Sequence, residues 1–222
     1  MRAFNKHSGV VAPLRRDNID TDAIIPSREM KRVSKSGLGV GLFAAWRYAD
    51  NGRKKDELVA EFVLNQPAYQ GASIVLGGTN FGCGSSREHA VWALNDYGIR
   101  VVIAPSFGAI FQRNCYRNGL LAIELPEASI DAIETATAAD PQTHTVTVNL
   151  AAGKIVTSAG DIDFAVGDEV RDRLLSGADD IDLTLQYADE IAAFRETRYH
   201  DEPWADLSEG ALPVTRSGDK QQ

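Results

Sequence analysis

The 222-residue sequence predicts an α/β fold with a mostly parallel sheet and a smaller antiparallel sheet. Three apolar runs, ASIVLGG, RVVIA and LLAIEL, are separated by segments of helical periodicity. Strand, helix, strand, helix, strand is the order of parallel pairing through crossovers. Farther on, HTVTVNL and KIVTSAG alternate apolar and polar residues, the period of a half-exposed hairpin. The first of the three runs feeds directly into GTNFGCGSSREHAVWA, Gly78 to Ala93, a glycine-rich turn entering a helix. Ligands of open parallel sheets bind at the carboxyl ends of the strands, where this turn lies.

With 44% hydrophobic and 24% charged residues, the chain can bury a substantial core. A single domain over residues 1–198 is expected, with 199–222 as a mobile tail, because periodicity fades beyond Tyr199. A net charge of -8 argues against general binding to nucleic-acid backbones. No apolar run is long enough to span a membrane, and MRAFNKHSGVV lacks the apolar core of a signal peptide, so a cytoplasmic enzyme without a membrane partner is expected. Two cysteines, Cys83 and Cys115, suggest neither a disulfide framework nor a metal site, and the chain is not expected to hold an iron–sulfur cluster alone.

Taken in order, Ser8 to Ala12 reads as a first strand, stopped by Pro13. The polar loop LRRDNIDTDAIIP follows, with a short buried run from Ala23 to Ile25. Asn18, Asp20, Asp22 and Glu29 fall at calcium-loop positions one, three, five and twelve, yet Ala23 stands where the sharp turn needs glycine. Asp17 and Asp20 can instead satisfy backbone N–H groups in an Asx-type turn. Ser27 to Glu57 then carries Arg28, Lys31, Arg32 and Lys35 ahead of Gly37, Gly39 and Gly41, which suggests a mobile loop, either a solvated basic face or a lid over an anion. Asp50, Asn51 and Gly52 mark a turn, and FVLNQPAY a short helix.

After the central turn, HAVWALNDYG reads as a helix ending at Gly98. SFGAIFQRNCYRNG reads as a second, with Ser106 as its N-cap. ASIDAIETATAADP is a third helix, IDFAV a further strand, and DEVRDRLLSG and LTLQYADEIAAFRETR close the fold as helices.

Within GTNFGCGSSREH, free N–H groups at a helix start, close-approach glycines, two hydroxyls and a guanidinium make a site for an anion or a developing oxyanion. Familiar alternatives fail. A dinucleotide fingerprint needs glycine at Arg87, the phosphate-loop lysine is absent, and a nucleophile elbow needs glycine at Ser86. Ser85 and Glu88 have the spacing of a capping box, and His89 reads as a helix-face residue. By itself the motif also suits a non-catalytic anion-binding module.

NFGCGSSREHA, DNIDTDAIIP and APSFGAIFQRNCYRNGLL together resemble the small subunit of 3-isopropylmalate dehydratase, itself similar to the swivelling C-terminal domain of aconitase. The resemblance covers most of residues 1–198, including KRVSKSGLGVGLFAAWRY. It implies a three-layer β/β/α swivelling domain, active only when closed over a large subunit that carries a [4Fe-4S] cluster. It further implies Ser85 as the base, with Arg87 and Ser86 holding the substrate carboxylate and the alkoxide, and Ser27 to Tyr48 as the substrate-reading loop; Asp20 and Thr21 either touch the substrate or only shape their own loop. This chain would bind no cofactor of its own. Related diacids, 2-methylmalate or citraconate and homoaconitate, are the alternative substrates.

Overall fold

The computed structural model describes residues 1–30, 34–85 and 87–205. Ser86, Lys31, Arg32 and the part of the expected tail from residue 206 onward lie outside the described residues. The chain forms two compact units, Met1–Asp179 and Asp180–Gln222. The first is shorter than the 1–198 span expected from periodicity.

The single first strand expected from the sequence is two strands, β1 (Lys6–Gly9) and β2 (Val11–Leu14), in different sheets. Next come α1 (Thr21–Ile24), α2 (Ala44–Arg47) and the turn α3 (Ala49–Gly52), in which Asp50 and Asn51 take left-handed φ of 51° and 53°. Then follow β3 (Lys54–Leu58), β4 (Ile74–Gly77), α4 (Glu88–Tyr97), β5 (Val101–Ala104), α5 (Ala109–Arg117), β6 (Leu121–Glu124) and α6 (Glu127–Ala138). The antiparallel strands β7 (Val146–Asn149), β8 (Lys154–Thr157) and β9 (Gly160–Asp163) precede α7 (Asp168–Ser176). In the second unit lie α8 (Asp180–Leu185) and α9 (Ala188–Asp201), where one helix was expected.

The parallel sheet has the order β2-β4-β5-β6 and the antiparallel sheet β1-β7-β8-β9. Pro13 is tolerated because β2 is an edge strand, where a missing N–H breaks no ladder on the open side. Successive residues of a strand face opposite sides, and the parallel sheet uses both. Val11, Ile74, Leu76, Val101, Ile103, Leu121 and Ile123 pack with Val146, Val148 and Ile155 of the antiparallel sheet and with Ile130 and Ile133 of α6. Ala12, Leu14, Val75, Val102, Ala104 and Ala122 pack instead against Ala90, Val91 and Leu94 of α4 and Phe111 and Cys115 of α5. The result is the three-layer β/β/α architecture. Among the described residues no helix is long and apolar enough to cross a membrane.

Where FVLNQPAY suggested a helix there are two short 3-10 turns, Val63–Asn65 and Pro67–Tyr69, because Pro67 supplies no N–H to continue a helix through it. The described end of the glycine-rich loop is packed into the core, contrary to expectation. Leu38, Leu42 and Phe43 are at most 1% exposed. Gly39 donates to Asp96 Oδ2 at 2.7 Å, and a Cβ there would lie 2.8 Å from the Tyr97 backbone nitrogen. Glycine therefore serves close approach to α4. Arg47, 9% exposed, fastens this segment by donating to the carbonyls of Gly39 and Leu42 between the rings of Tyr48 and Tyr97.

Candidate active site

Three loops leave the carboxyl ends of β2, β4 and β5, and hydrogen bonds tie them together. Asn18 N–H donates to the Thr79 carbonyl at 2.8 Å, Gly82 N–H to Ile19 at 2.7 Å and Thr21 N–H to Cys83 at 2.9 Å. Asp17 Oδ1 accepts from Thr79 N–H at 2.7 Å, so Asp17 clamps the two loops instead of forming a local Asx turn. Asn18 and Asn80 both adopt left-handed φ, 55° and 59°, which asparagine tolerates better than most residues, and Asn80 Nδ2 donates to Asn18 Oδ1 at 2.8 Å. On the other side, Asn80 N–H donates to Ser106 Oγ, and Gly108 N–H to the Phe81 carbonyl. Ser106 is thus a loop clamp; Gly108 is the N-cap of α5.

The turn Gly82–Cys83–Gly84 lies beside α1. Gly84 has φ of 91°, and a Cβ there would come 3.3 Å from Asp20 Cβ and 3.8 Å from Thr21 Oγ1. Asp20 is the N-cap of α1, its Oδ1 accepting from Ala23 N–H at 2.6 Å. That bond satisfies a free donor of the first turn and commits one carboxylate oxygen to the loop. Thr21 is fully buried, and its hydroxyl has no hydrogen-bond partner among the described residues. An unpaired buried hydroxyl is costly, and Thr21 Oγ1 can donate to or accept from a polar atom brought against it.

The capping box expected from Ser85 and Glu88 does not form. Helix α4 starts at Glu88 with Arg87 as N-cap (φ -74°, ψ 121°), and no described side chain caps it. Glu88 Oε1 accepts from Asn118 Nδ2 at 2.7 Å, which draws its carboxylate toward the end of α5 instead of back to Ser85. Ser85 is exposed, two residues ahead of the cap. Arg87 Nη1 is ion-paired with Asp22 Oδ1, an acidic residue in the first turn of α1. Arg87 is therefore tied through Asp22 to the element that carries Asp20 and Thr21, and Gly84, the residue before Ser85, approaches both; Ser86 lies outside the described residues.

Sequence reasoning weighed Asp22 only as a calcium ligand. Its partner Arg87 is 65 positions away, and no local spacing announces such a pair. The four calcium-loop positions are engaged separately: Asn18 with Asn80, Asp20 with α1, Asp22 with Arg87, and Glu29 with Lys55 and Arg28. Among the described loop cations, Arg28 donates to the Asn51 carbonyl and Lys35 sits 4.9 Å from the Trp92 ring centroid. His89 also contacts the Trp92 ring, at 4.6 Å between centroids.

The sulfur donors do not fit an iron–sulfur cluster held by this chain. Cys83 lies in the site turn, whereas Cys115 is fully buried in the core under α5, where burial pushes its thiol pKa well above the ordinary value. A cluster ligand must be a thiolate, the form that burial disfavours.

The chain is similar to known proteins over most of its length. Residues 1–128 match the aconitase C-terminal domain, and residues 180–208 match the C-terminal domain of the 3-isopropylmalate dehydratase small subunit. A 3-isopropylmalate dehydratase small subunit from Cupriavidus necator is 57% identical over 206 residues, 92% of this chain and 98% of that protein. One from Neisseria meningitidis serogroup C is 49% identical over 210 residues, again 92% and 98%. The crystal structure of a 3-isopropylmalate dehydratase from Methanocaldococcus jannaschii superposes with a TM-score of 0.57 at 25% identity, covering 87% of this chain and 99% of that one. The chain belongs to the family of 3-isopropylmalate dehydratase small subunits, built on the aconitase C-terminal domain.

Proposed function

We propose that this chain, closed onto a large subunit, interconverts 2-isopropylmalate and 3-isopropylmalate through enzyme-bound isopropylmaleate, a step of leucine biosynthesis. The observation that supports this reading is Arg87 at the start of α4, where no described side chain caps the helix, two residues after the exposed Ser85 and ion-paired to α1, whose buried Thr21 hydroxyl has no partner among the described residues. Moving a hydroxyl to the neighbouring carbon requires removal of a proton from one carbon and of hydroxide from the other, then re-addition with the positions exchanged. In this reading Ser85 takes the proton. Arg87 holds a substrate carboxylate with the N–H donors that Asp22 leaves free. Ser86 shares that work on the strength of the resemblance. Asp20 orders α1 through its bond to Ala23, and Thr21 offers its hydroxyl to a substrate oxygen. A [4Fe-4S] cluster on the large subunit would supply the Lewis acid for the departing hydroxyl.

A serine base is demanding. Each unit of pKa depression takes about 1.4 kcal/mol. A helix N-terminus supplies at most about 2 kcal/mol, so it lowers the alcohol by little more than one unit. Arg87 and a water-free site must do the rest. Ser85 is exposed in the isolated chain, where water screens both effects, so activity requires closure onto the partner.

The test mixes this chain with a cluster-loaded large subunit and follows the unsaturated diacid formed from 2-isopropylmalate, 2-methylmalate and homocitrate. Neither subunit alone should turn over, and 2-isopropylmalate should react fastest. Equal or faster reaction of another diacid would reassign the substrate, and anion binding by this chain alone without joint turnover would mark a binding module.

A further inference from the structure

The ion pair between Arg87 and Asp22 joins the two elements of the site that the backbone bond from Thr21 to Cys83 also joins. Their side chains remain 27% and 52% exposed. An exposed pair of this kind contributes little to stability. Its geometric effect is larger. A guanidinium is a rigid fork of five N–H donors, and the bond from Asp22 to Nη1 restricts the directions in which the others point. Asp22 cannot drift, because it sits in the first turn of a helix whose cap, Asp20, and whose backbone tie to Cys83 are both made.

We propose that Asp22 is a positioning residue for Arg87, aiming the guanidinium at the substrate carboxylate while offsetting part of its charge. The proposal rests on the reading of Arg87 as a substrate-holding group. Two consequences oppose each other. Losing Asp22 lets the fork rotate, and misplacement by about 1 Å costs on the order of 10²-fold in rate. Losing it also removes a negative charge next to a dianionic substrate, which favours ground-state binding. Asp22→Asn should therefore lower kcat by about 10- to 100-fold while KM stays level or falls, the pattern of a lost transition-state interaction without lost binding.

The experiment measures kcat and KM of the reconstituted holoenzyme for Asp22→Asn, Asp22→Glu, Arg87→Ala and the double variant Asp22→Asn/Arg87→Ala, with melting temperature and large-subunit affinity in parallel. Asp22→Asn should keep both of the latter, Asp22→Glu should recover part of kcat, and the double variant should be no worse than Arg87→Ala alone. In the isolated chain, nitrogen NMR of Arg87 should show restricted rotation about Cζ–Nη that Asp22→Asn releases. Wild-type kcat in Asp22→Asn, or a loss matched by lost partner affinity or melting temperature, would overturn the positioning role. If Arg87→Ala itself turned over normally, the underlying reading of Arg87 would fail instead, and the NMR result would still report on the pair.

Discussion

The backbone N–H of Asn80 donates to the Ser106 hydroxyl at 2.9 Å, so the turn that leaves β4 is fastened to the loop that leaves β5. Asn80 holds a left-handed φ of 59°, and its side chain reaches the other way to Asn18. Ser106 is thus the outer anchor of a chain of contacts running across three loops to α1. Ser106→Ala leaves a half-buried N–H unpaired, which costs about 1–3 kcal/mol. The expected result is a lower denaturation midpoint together with a larger loss of kcat, because the slack reaches Ser85. A helix-capping role would give the stability loss without the activity loss.

Ser85→Ala separates catalysis from folding at the motif itself. An N-cap serine replaced by alanine costs about 1 kcal/mol. Ser85 is exposed and is not the N-cap of α4, so its replacement should change stability by less than about 0.5 kcal/mol. With Ser85 as the proposed base, turnover by the reconstituted complex should nevertheless fall by more than about 10³-fold. Urea titration of the isolated chain and a coupled turnover assay check the two halves independently. Near wild-type turnover would remove Ser85 from the base role.

The layered fold was legible because periodicity reports burial. ASIVLGG, RVVIA and LLAIEL are apolar on both faces, and both faces are covered in the structure. What periodicity cannot report is where a strand changes sheets. Ser8 to Ala12 reads as one run, yet β1 and β2 separate at Val10, and β1 pairs with β7, some 140 positions later (Ser8 with Thr147). The same limit governs the site. Ser85, Arg87, Asp20 and Thr21 were named from two short stretches, but the assignment of Ser85 as a cap failed, because Glu88 is claimed by Asn118, thirty positions away. Likewise the alternating glycines of the basic loop suggested mobility, whereas Gly39 is small so that α4 can approach. Local spacing reveals which residues can do chemistry, and long-range partners decide which of them are already occupied.

His7 gives the fold a pH dependence away from the site. Its Nε2 lies 2.8 Å from Ser73 Oγ, and its pKa is lowered from the ordinary 6.5, first by burial, then by the charges of Arg100 and Arg2. The folded chain therefore binds this proton less readily than the unfolded chain, so stability rises with pH across this window. The contribution is fully present above the unfolded value of 6.5 and is lost as pH falls through the lower folded value. Urea midpoints measured from about pH 7.5 down to about pH 5 should decline, and His7→Gln should flatten that part of the decline. An unchanged slope in the variant would assign the dependence to other groups.

Gly82 and Gly84 flank Cys83 and both take positive φ, 75° and 91°, yet substituting them should have different outcomes. A Cβ at Gly82 would fall 2.1 Å from the Phe111 ring, which is 1% exposed and cannot swing away. Backbone strain of about 1–2 kcal/mol and overpacking of about 1–3 kcal/mol add at that position, so Gly82→Ala should lose about 2–5 kcal/mol and much of its soluble yield. At Gly84 the nearest atom is Asp20 Cβ at 3.3 Å, close enough to push but not to block. Gly84→Ala should therefore fold, with a stability loss nearer the strain term alone, about 1–2 kcal/mol. The contact falls on the cap of α1, and the strain on the residue that precedes Ser85. Turnover should accordingly drop by about tenfold or more, well beyond what the stability change explains. Melting temperature and kcat of the two variants, measured side by side, distinguish a glycine needed for packing from one needed to hold the site.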